Sequence, residues 1–364
     1  MIEKEPFMRI SLQTLTPLWT GNAYRKITDI KTSSIWGSIR WWYENVSRMY
    51  SEKVCNPIAK EKCQLNQKDF FGDLIAGKTA DEALDNQKIC SVCKLFGCTG
   101  WSGKLKLVIE EMGGCDSERI VVRSRTNSNH SRVLTGKMFT GEDRLILHFY
   151  ERKEISPQEK DMLRLTIRMI SNFAAIGGRT AQGNGVVQVM AEDEGNLAFE
   201  DPQYLKANLK NFNSTKSFLK FNLVFNESID TIIKQKGFWG LNNVEKSAWK
   251  NNWEQYGFIP IGFHIRDTIR RMERDKNLRH KLFGERGQGS KILVSHGYRV
   301  NEHAVQIRVW GYSEDAIKLL PNVETQIRSS LNANLSCGKY NFQLKNFTNT
   351  TACDLINQYI ADRI

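Results

Sequence analysis

Four glycines fall within the nine residues 177–185, where a helical pattern ends and a strand pattern begins. Glycine adopts left-handed backbone conformations without steric cost, so this run predicts a tight turn in which the backbone approaches its neighbours closely. Nucleotide-binding glycine loops usually lead from a strand into a helix, whose N-terminus faces phosphate. Here the loop leaves a helix C-terminus, where the dipole is negative. Any phosphate contact must therefore come from backbone N–H groups and from Arg179, which suits a long polyanion better than a mononucleotide.

The charge of the chain points the same way. It has 364 residues, 40% of them hydrophobic, and a formal net charge of +12. A charge of that size favours an anionic partner, most often nucleic acid, although a merely soluble basic protein shares it. No apolar run approaches the roughly 18 residues that span a bilayer, and the acidic N-terminal segment does not resemble a signal peptide. We therefore expect a cytoplasmic protein with no membrane partner.

Hydrophobic patterns in the first 190 residues alternate between strand and helix periods. They predict strands at 7–15, 103–110, 144–151 and 186–190, and helices at 33–50 and 157–175. Ser33 or Ser34 can cap the first helix, and Ser156 and Glu159 form a capping box for the second. This βαββαβ order is that of a ferredoxin-like unit, whose free sheet face binds RNA in RNA-recognition modules.

The same order recurs more weakly after a polar segment at 191–216, with a second glycine segment at 283–290 before a strand at 291–295. The sequence therefore predicts an α+β fold of two tandem ferredoxin-like (RRM-like) domains, residues 1–200 and 201–364. An insertion without clear periodicity, at about 51–102, interrupts the first domain and is expected to contain a short helix near residues 79–85. Residues 111–143 are expected to be irregular.

The first predicted helix interleaves basic and aromatic residues away from its buried stripe, namely Lys31, Trp36, Arg40 and Tyr43. Cations that contact phosphates and rings that stack on bases suit single-stranded RNA. The alternative for Trp36 and Tyr43 is packing against the insertion. The arginine-rich segment 119–132, with Arg123 and Arg125, either follows a nucleic-acid backbone or is a solvated loop.

Eight cysteines in a reducing compartment are thiols or metal ligands rather than disulfides. Cys90 and Cys93 form a C-x-x-C pair, and Cys55 and Cys63 precede them in the insertion. Four thiolates in a segment with little core of its own predict a structural zinc site. The Cys55–Cys63 spacing is wider than usual, Cys98 is a substitute ligand, and ordinary reduced cysteines are the alternative.

Four segments, occurring in order, together resemble the RAMP superfamily of CRISPR-associated proteins, closest to the first subunit of the type III-B (Cmr) effector complex. They are residues 16–21, 31–44, 90–101 and 177–185. The resemblance implies two ferredoxin-like domains and an RNA-binding role near the 3′ part of the guide RNA, with the target-cleaving carboxylate on another subunit. It places on the RNA-facing side Lys31, Arg40, Trp41, Gly177, Gly178, Arg179, Gly183 and Gly185.

From these patterns we predict a non-catalytic RNA-binding subunit of a CRISPR type III-B effector, with guide RNA, target RNA and other Cmr subunits as partners. No cofactor is required, and the four cysteines leave open either a structural zinc ion or ordinary reduced thiols. One alternative is a metal-independent endoribonuclease that processes guide RNA precursors, for which His130 is the acid–base candidate. Another is an adaptor that contacts protein alone.

Overall fold

The computed structural model describes residues 5–21, 29–50, 53–57, 59–117, 120–123, 131–209, 218–235, 237–238, 253, 256–284, 289–312, 315, 319, 322–333 and 342–348. The helices in these ranges are α1 (Thr32–Met49), α2 (Gln67–Ile75), α3 (Ala80–Asn86), α4 (Ser91–Phe96), α5 (Pro157–Phe173), α6 (Pro202–Leu209), α7 (Ile229–Gln235), α8 (Gly262–Met272), α9 (Lys276–Phe283) and α10 (Val323–Ala333). The strands are β1 (Met8–Thr14), β2 (Leu105–Met112), β3 (Cys115–Asp116), β4 (Ile120–Arg123), β5 (Ser131–Leu134), β6 (Lys137–Met138), β7 (Arg144–Glu151), β8 (Val187–Val189), β9 (Phe218–Phe225), β10 (Phe258–Ile259), β11 (Ile292–Val294), β12 (Gly297–Asn301), β13 (Ala304–Tyr312) and β14 (Phe342–Thr348).

The first sheet is antiparallel, with the order β2–β7–β1–β8. In the central strand β1, Leu12 lies between Leu145 of β7 and Val189 of β8. Met8 and Ile10 are buried on the same face as Leu12, as the alternating pattern predicts, and the intervening Arg9 is exposed.

Helices α1 and α5 pack together, and both contribute to the core beneath this sheet. The buried face of α1 includes the predicted stripe of Ile35, Ile39, Trp42, Val46 and Met49. The indole N–H of Trp42 donates to the carbonyl oxygen of Ala175 at 3.1 Å, which joins α1 to the end of α5. The predicted Ser156–Glu159 capping box is present, with Pro157 in the first turn of α5.

The insertion has more structure than its sequence suggests. The short helix expected near residues 79–85 is α3, and α2 and α4 accompany it around a small separate core that includes Phe70 and Trp101. Residues 111–143, expected to be irregular, contain the antiparallel pairs β3–β6 and β4–β5. Strands this short are too brief for hydrophobic periodicity to reveal.

The second sheet is also antiparallel, with the order β10–β12–β13–β9–β14 and β11 paired to the far end of β13. In register, β13 runs from Val305 opposite Phe225 to Tyr312 opposite Phe218. Helices α8 and α10 contact each other beside it.

The two halves meet where the glycine loop, residues 177–185, leaves α5. The guanidinium of Arg308 on β13 donates to the carbonyl oxygen of Ala174 at 3.0 Å. The backbone N–H of His296 donates to the carbonyl oxygen of Gly183 at 3.2 Å. A continuous hydrophobic cluster also crosses this junction, so the loop is packed from both sides.

Candidate nucleic-acid groove and cysteine centre

A groove with a volume of about 570 Å³ opens at this junction. Three segments build its walls: the first half of α1, the glycine loop, and the second glycine segment with its following strands. The lining residues are Ser33, Ser34, Gly37, Ser38, Trp41, Trp42, Ala175, Gly177, Gly178, Arg179, Thr180, Ala181, Gly289, Ser290, Leu293 and Trp310. These described lining residues include no carboxylate and no histidine, so the groove is suited to an anion.

The glycines of the loop are explained by backbone geometry. Gly177 and Gly185 have φ values of +78° and +83°, which strain any other residue. A Cβ on Gly178 would lie 2.5 Å from the Trp19 ring, and one on Gly183 would lie 2.8 Å from the His296 ring. The loop therefore needs glycine for its path and for close approach to its neighbours.

Most backbone N–H groups of the loop are already used within the chain. Gly177 donates to Ser38 Oγ at 2.9 Å, Gly178 to the Trp19 carbonyl oxygen at 2.6 Å, and Gly185 to the Pro17 carbonyl oxygen at 3.0 Å. The Gly183 N–H bonds inside the loop to Thr180. These N–H groups therefore do not support the predicted phosphate contacts through the glycine backbone. Besides Gly177 and Gly178, the loop residues that line the groove are 179–181.

Arg179 reaches the groove with its side chain partly engaged. Its backbone has a φ of +59°, in the left-handed region. Its guanidinium lies over the Trp19 ring, 4.3 Å from the centroid, and donates to the Val133 carbonyl oxygen at 2.9 Å. These contacts hold the positive charge at the groove wall.

The N-terminus of α1 supplies a second positive feature. The helix begins after Lys31, whose side chain makes no capping hydrogen bond, and its first turn contains no acidic residue. The expectation that Ser33 or Ser34 caps the helix is thus wrong: both lie inside the first turn and line the groove. An N-terminus without an acid or a side-chain cap presents the positive end of the helix dipole. In the groove, the N-terminus of α1 lies beside the glycine loop, which follows the C-terminus of α5.

Gly37 and Trp41 lie one turn apart on the groove face of α1. Gly37 is exposed, and a Cβ there would meet no protein atom within 4 Å. Glycine in a helix interior costs about 0.5–1 kcal/mol relative to alanine, and no packing contact with the described chain requires it here. Trp41 is 44% exposed, with its ring edge-on to Trp42. A bare stretch of backbone beside an exposed indole leaves room for a flat ligand.

Basic side chains gather behind the second glycine segment. Burial, together with repulsion from Arg132 and Arg270 and against the attraction of Asp267, lowers the pKa of Arg266 to about 10. The Arg266 guanidinium donates to the Phe283 carbonyl oxygen at 2.6 Å and lies 3.4 Å from Ser290 Oγ, which lines the groove. Clustered cations raise the positive potential near this wall.

Four cysteines of the insertion converge beside α1, outside the residues that line the groove. The Sγ atoms of Cys55, Cys63, Cys90 and Cys93 all lie within 4.8 Å of one another. Burial raises the pKa of the Cys63 thiol to about 11, and a hydrogen bond with Cys93 lowers the pKa of Cys90 to about 4. Thiols this close share protons, and a metal ion that binds them replaces those protons. Cys98, the substitute ligand of the sequence prediction, is outside this set of four.

The family assignment follows from the first half of the chain. A family model, the RAMP superfamily, matches residues 11–188. This part of the chain belongs to the RAMP superfamily. It contains α1, the cysteine insertion and the glycine loop, so two of the three walls of the groove and all four clustered cysteines lie within the RAMP region.

Two solved structures align with most of the chain. The apo crystal structure of Cmr1 from Pyrococcus furiosus covers 98% of this chain and 96% of its own, at 12% identity and a TM-score of 0.37. A cryo-EM structure of the type III-B Cmr-β complex, bound to cognate target RNA and AMPPnP in the presence of single-stranded DNA, covers 90% of this chain and 100% of its own, at 9% identity and a TM-score of 0.41. No curated protein matches the chain significantly. None of the described helices combines the length and apolar character needed to cross a membrane.

Within the RAMP region, the predicted RNA-facing residues divide into two groups. Trp41, Arg179 and the first two loop glycines line the groove. Lys31 is not among the lining residues, and its ammonium lies 3.3 Å from Asp29. Arg40 turns the other way: its guanidinium contacts Cys93, and Trp36 and Tyr43 pack on Phe96. The packing alternative is therefore confirmed for these two aromatics, and Arg40 is not brought to the groove.

The arginine-rich segment is only partly described. Arg123 ends β4, where its backbone pairs with Ser131, and Arg125 and His130 lie outside the described residues. The sequence prediction overlooked Gly37 and Gly289 as groove residues. The sequence did contain an indication of Gly37. Glycine destabilises the interior of a helix, so its presence in the middle of an amphipathic helix indicates a functional requirement for a bare backbone.

Proposed function

We propose that this protein is a non-catalytic RNA-binding subunit of a CRISPR type III-B ribonucleoprotein effector. In this role it contacts guide RNA, target RNA or both, together with other Cmr subunits, in cytoplasmic antiviral defence. Membership of the RAMP superfamily and the order of its sequence motifs support the assignment to this class of complex. The groove at the junction of the two halves supports RNA as the ligand.

The observation that carries the proposal is the combination of features on α1. Its first turn contains no acidic residue, its N-cap makes no side-chain hydrogen bond, Gly37 leaves the backbone bare, and Trp41 is exposed one turn later. A phosphate is stabilised at the helix N-terminus, and an RNA base stacks on the indole. The ribose and backbone of the same nucleotide then pass over Gly37.

The two sheets support a further proposal about architecture. Read outward from β2, the first sheet has the order β2–β7–β1–β8, and the second contains the order β12–β13–β9–β14. In each, the strand that begins the unit is central and the strand that ends it pairs beside it. We propose that both sheets belong to ferredoxin-like units. In each unit a glycine segment precedes a strand, β8 in the first half and β11 in the second, and both segments contribute to the groove.

A binding measurement tests the RNA proposal. Trp41→Ala should weaken affinity for single-stranded RNA by about 5- to 150-fold, since base stacking contributes about 1–3 kcal/mol. Phe71→Ala is the matched control, because Phe71 is 57% exposed on α2, away from the groove. Equal affinity in both variants would contradict the groove as the RNA site. An absence of salt-sensitive RNA retention would favour the protein-only adaptor.

The endoribonuclease alternative makes a separate prediction. The described groove residues offer no histidine or carboxylate as an acid–base pair. Labelled RNA incubated with the purified protein without added metal should therefore remain intact. Cleavage that disappears in His130→Ala would establish the alternative and overturn the non-catalytic assignment.

We also propose that the four clustered cysteines hold one structural zinc ion. Four convergent thiolates match the tetrahedral sulfur set that zinc prefers, and the insertion has only a small core of its own. Elemental analysis should find about one zinc per chain in wild type and much less in Cys90→Ser. Cys115→Ser is the control, because Cys115 lies on β3 outside the cluster. Zinc content equal in the three proteins would contradict this site.

A further inference from the structure

Arg40 was predicted to contact RNA, but its three described contacts all lie on the cysteine side of α1. Nη2 is 3.2 Å from Cys93 Sγ, and Nη1 donates to the Gly97 carbonyl oxygen at 2.7 Å. Nε donates to the Glu44 carboxylate at 3.1 Å. A planar guanidinium with each nitrogen so engaged has a fixed orientation toward the cluster.

We propose that Arg40 is a positioning residue of the metal centre, and that the centre in turn supports the helix that lines the RNA groove. The inference rests on the proposed zinc site. A zinc ion with four thiolates leaves a net charge of about −2, which a low-dielectric site stabilises poorly. A guanidinium bonded to one thiolate offsets part of that charge and fixes the direction of the sulfur.

A second arginine completes the link between α1 and the cysteines. Arg48 donates to the carbonyl oxygen of Cys55 at 3.0 Å, and Glu44 lies between the two arginines on successive turns. Arg40 and Arg48 thus hold the segments of Cys93 and Cys55 against one stripe of α1. The metal ion would join these two segments to each other, so that the stripe, the ion and the insertion form one rigid unit.

The same helix also lines the groove, with residues of its first half. These include Ser33, Gly37 and Trp41, and Trp41 lies about 100° around the helix axis from Arg40. Packing of Trp36 and Tyr43 on Phe96, at ring distances of 4.8 and 5.1 Å, ties the groove helix to α4, which carries Cys93. Loss of the metal would loosen this side of α1 and lower RNA affinity without removing any RNA contact.

The test measures zinc affinity and RNA affinity on the full chain. Zinc affinity is obtained by competition with a chelating dye for wild type, Arg40→Gln, Arg40→Lys and the control Arg9→Gln, whose arginine is exposed on β1. We expect Arg40→Gln to bind zinc about 10- to 100-fold more weakly, the usual effect of removing a partner of a metal ligand. Arg40→Lys should recover part of the loss, and Arg9→Gln should match wild type.

RNA affinity then separates the two roles of Arg40. In Arg40→Gln, affinity for a fluorescent single-stranded RNA should fall at limiting zinc and return to within about twofold of wild type at saturating zinc. An RNA defect that persists at saturating zinc would show a direct phosphate contact and overturn the inference. Unchanged zinc affinity in Arg40→Gln would overturn it as well, while the zinc loss of Cys90→Ser would still support the metal site.

Discussion

The backbone N–H of Gly177 donates to the hydroxyl oxygen of Ser38 over 2.9 Å, which fastens the glycine loop to α1. A Cβ on Gly177 would lie 2.7 Å from the Trp19 carbonyl oxygen, so the loop also packs closely against the backbone of the segment that follows β1. The position of the loop wall is fixed by contacts within the chain. Changes confined to surface side chains of the groove should therefore alter RNA affinity without deforming the site.

Replacing Gly37 by alanine should stabilise the protein and weaken RNA binding. The new methyl group meets no protein atom within 4 Å, and the helix gains about 0.5–1 kcal/mol of stability. The same methyl group would occupy the space that the RNA backbone fills in the proposed complex. Gly72→Ala on α2 is the matched control, since its Cβ also meets nothing. Urea unfolding should show a similar gain in both, and RNA titration should show a loss in Gly37→Ala alone.

A negative charge at Ser33 should separate stability from binding in the same way. Aspartate in the first turn of α1 interacts favourably with the helix dipole, by about 0.3–1 kcal/mol. It would also repel a phosphate held there, so RNA affinity should fall several-fold or more at low salt. Ser33→Asn is the control, because asparagine has nearly the same shape as aspartate but no charge, and this variant should bind RNA as wild type does. Equal RNA affinity in the two variants would place the phosphate elsewhere.

The strongest hydrophobic periodicities gave the fold of the RAMP region. The strand predicted at 144–151 is β7, Arg144–Glu151, and the helix predicted at 33–50 is α1, Thr32–Met49. Such segments are long enough for burial to impose a clear period. The two-residue strands β3, β6 and β10 carry no period, and their pairing depends on contacts with distant segments.

The site was harder to predict, because hydrophobic periodicity identifies the buried face of a helix but not which segments its other residues contact. Arg40 and Trp41 are adjacent in sequence and lie on different sides of α1, one toward Cys93 and the other toward the groove. Sequence alone identified both as candidate RNA contacts. It did identify the four cysteines, because a C-x-x-C pair and two further cysteines within one insertion restrict where their thiols can meet.

Alanine at Gly185 should destabilise the protein. The residue has a φ of +83°, which costs an L-amino acid about 1–2 kcal/mol, and its Cβ would collide with the Ile176 carbonyl oxygen. We therefore expect a loss of at least that size in the free energy of unfolding. Gly195→Ala, where a Cβ meets nothing within 4 Å, should change stability little. A stability of Gly185→Ala equal to that of the control would contradict the close packing of the loop.

His296, fully buried against Gly183 and Phe263, should make stability depend on pH. Burial lowers its pKa to about 3 from an ordinary value of 6.5, and neither ring nitrogen has a described hydrogen-bond partner. Between these values the unfolded chain binds a proton that the folded chain does not, so stability falls as pH falls below 6.5 and is constant above it. From pH 7 to pH 5 this residue should remove about 2 kcal/mol from the free energy of unfolding. Urea unfolding at both pH values should show that loss disappearing in His296→Gln and persisting in His303→Gln, whose histidine is exposed. An equal pH dependence in wild type and His296→Gln would mean that this histidine is charged in the folded protein.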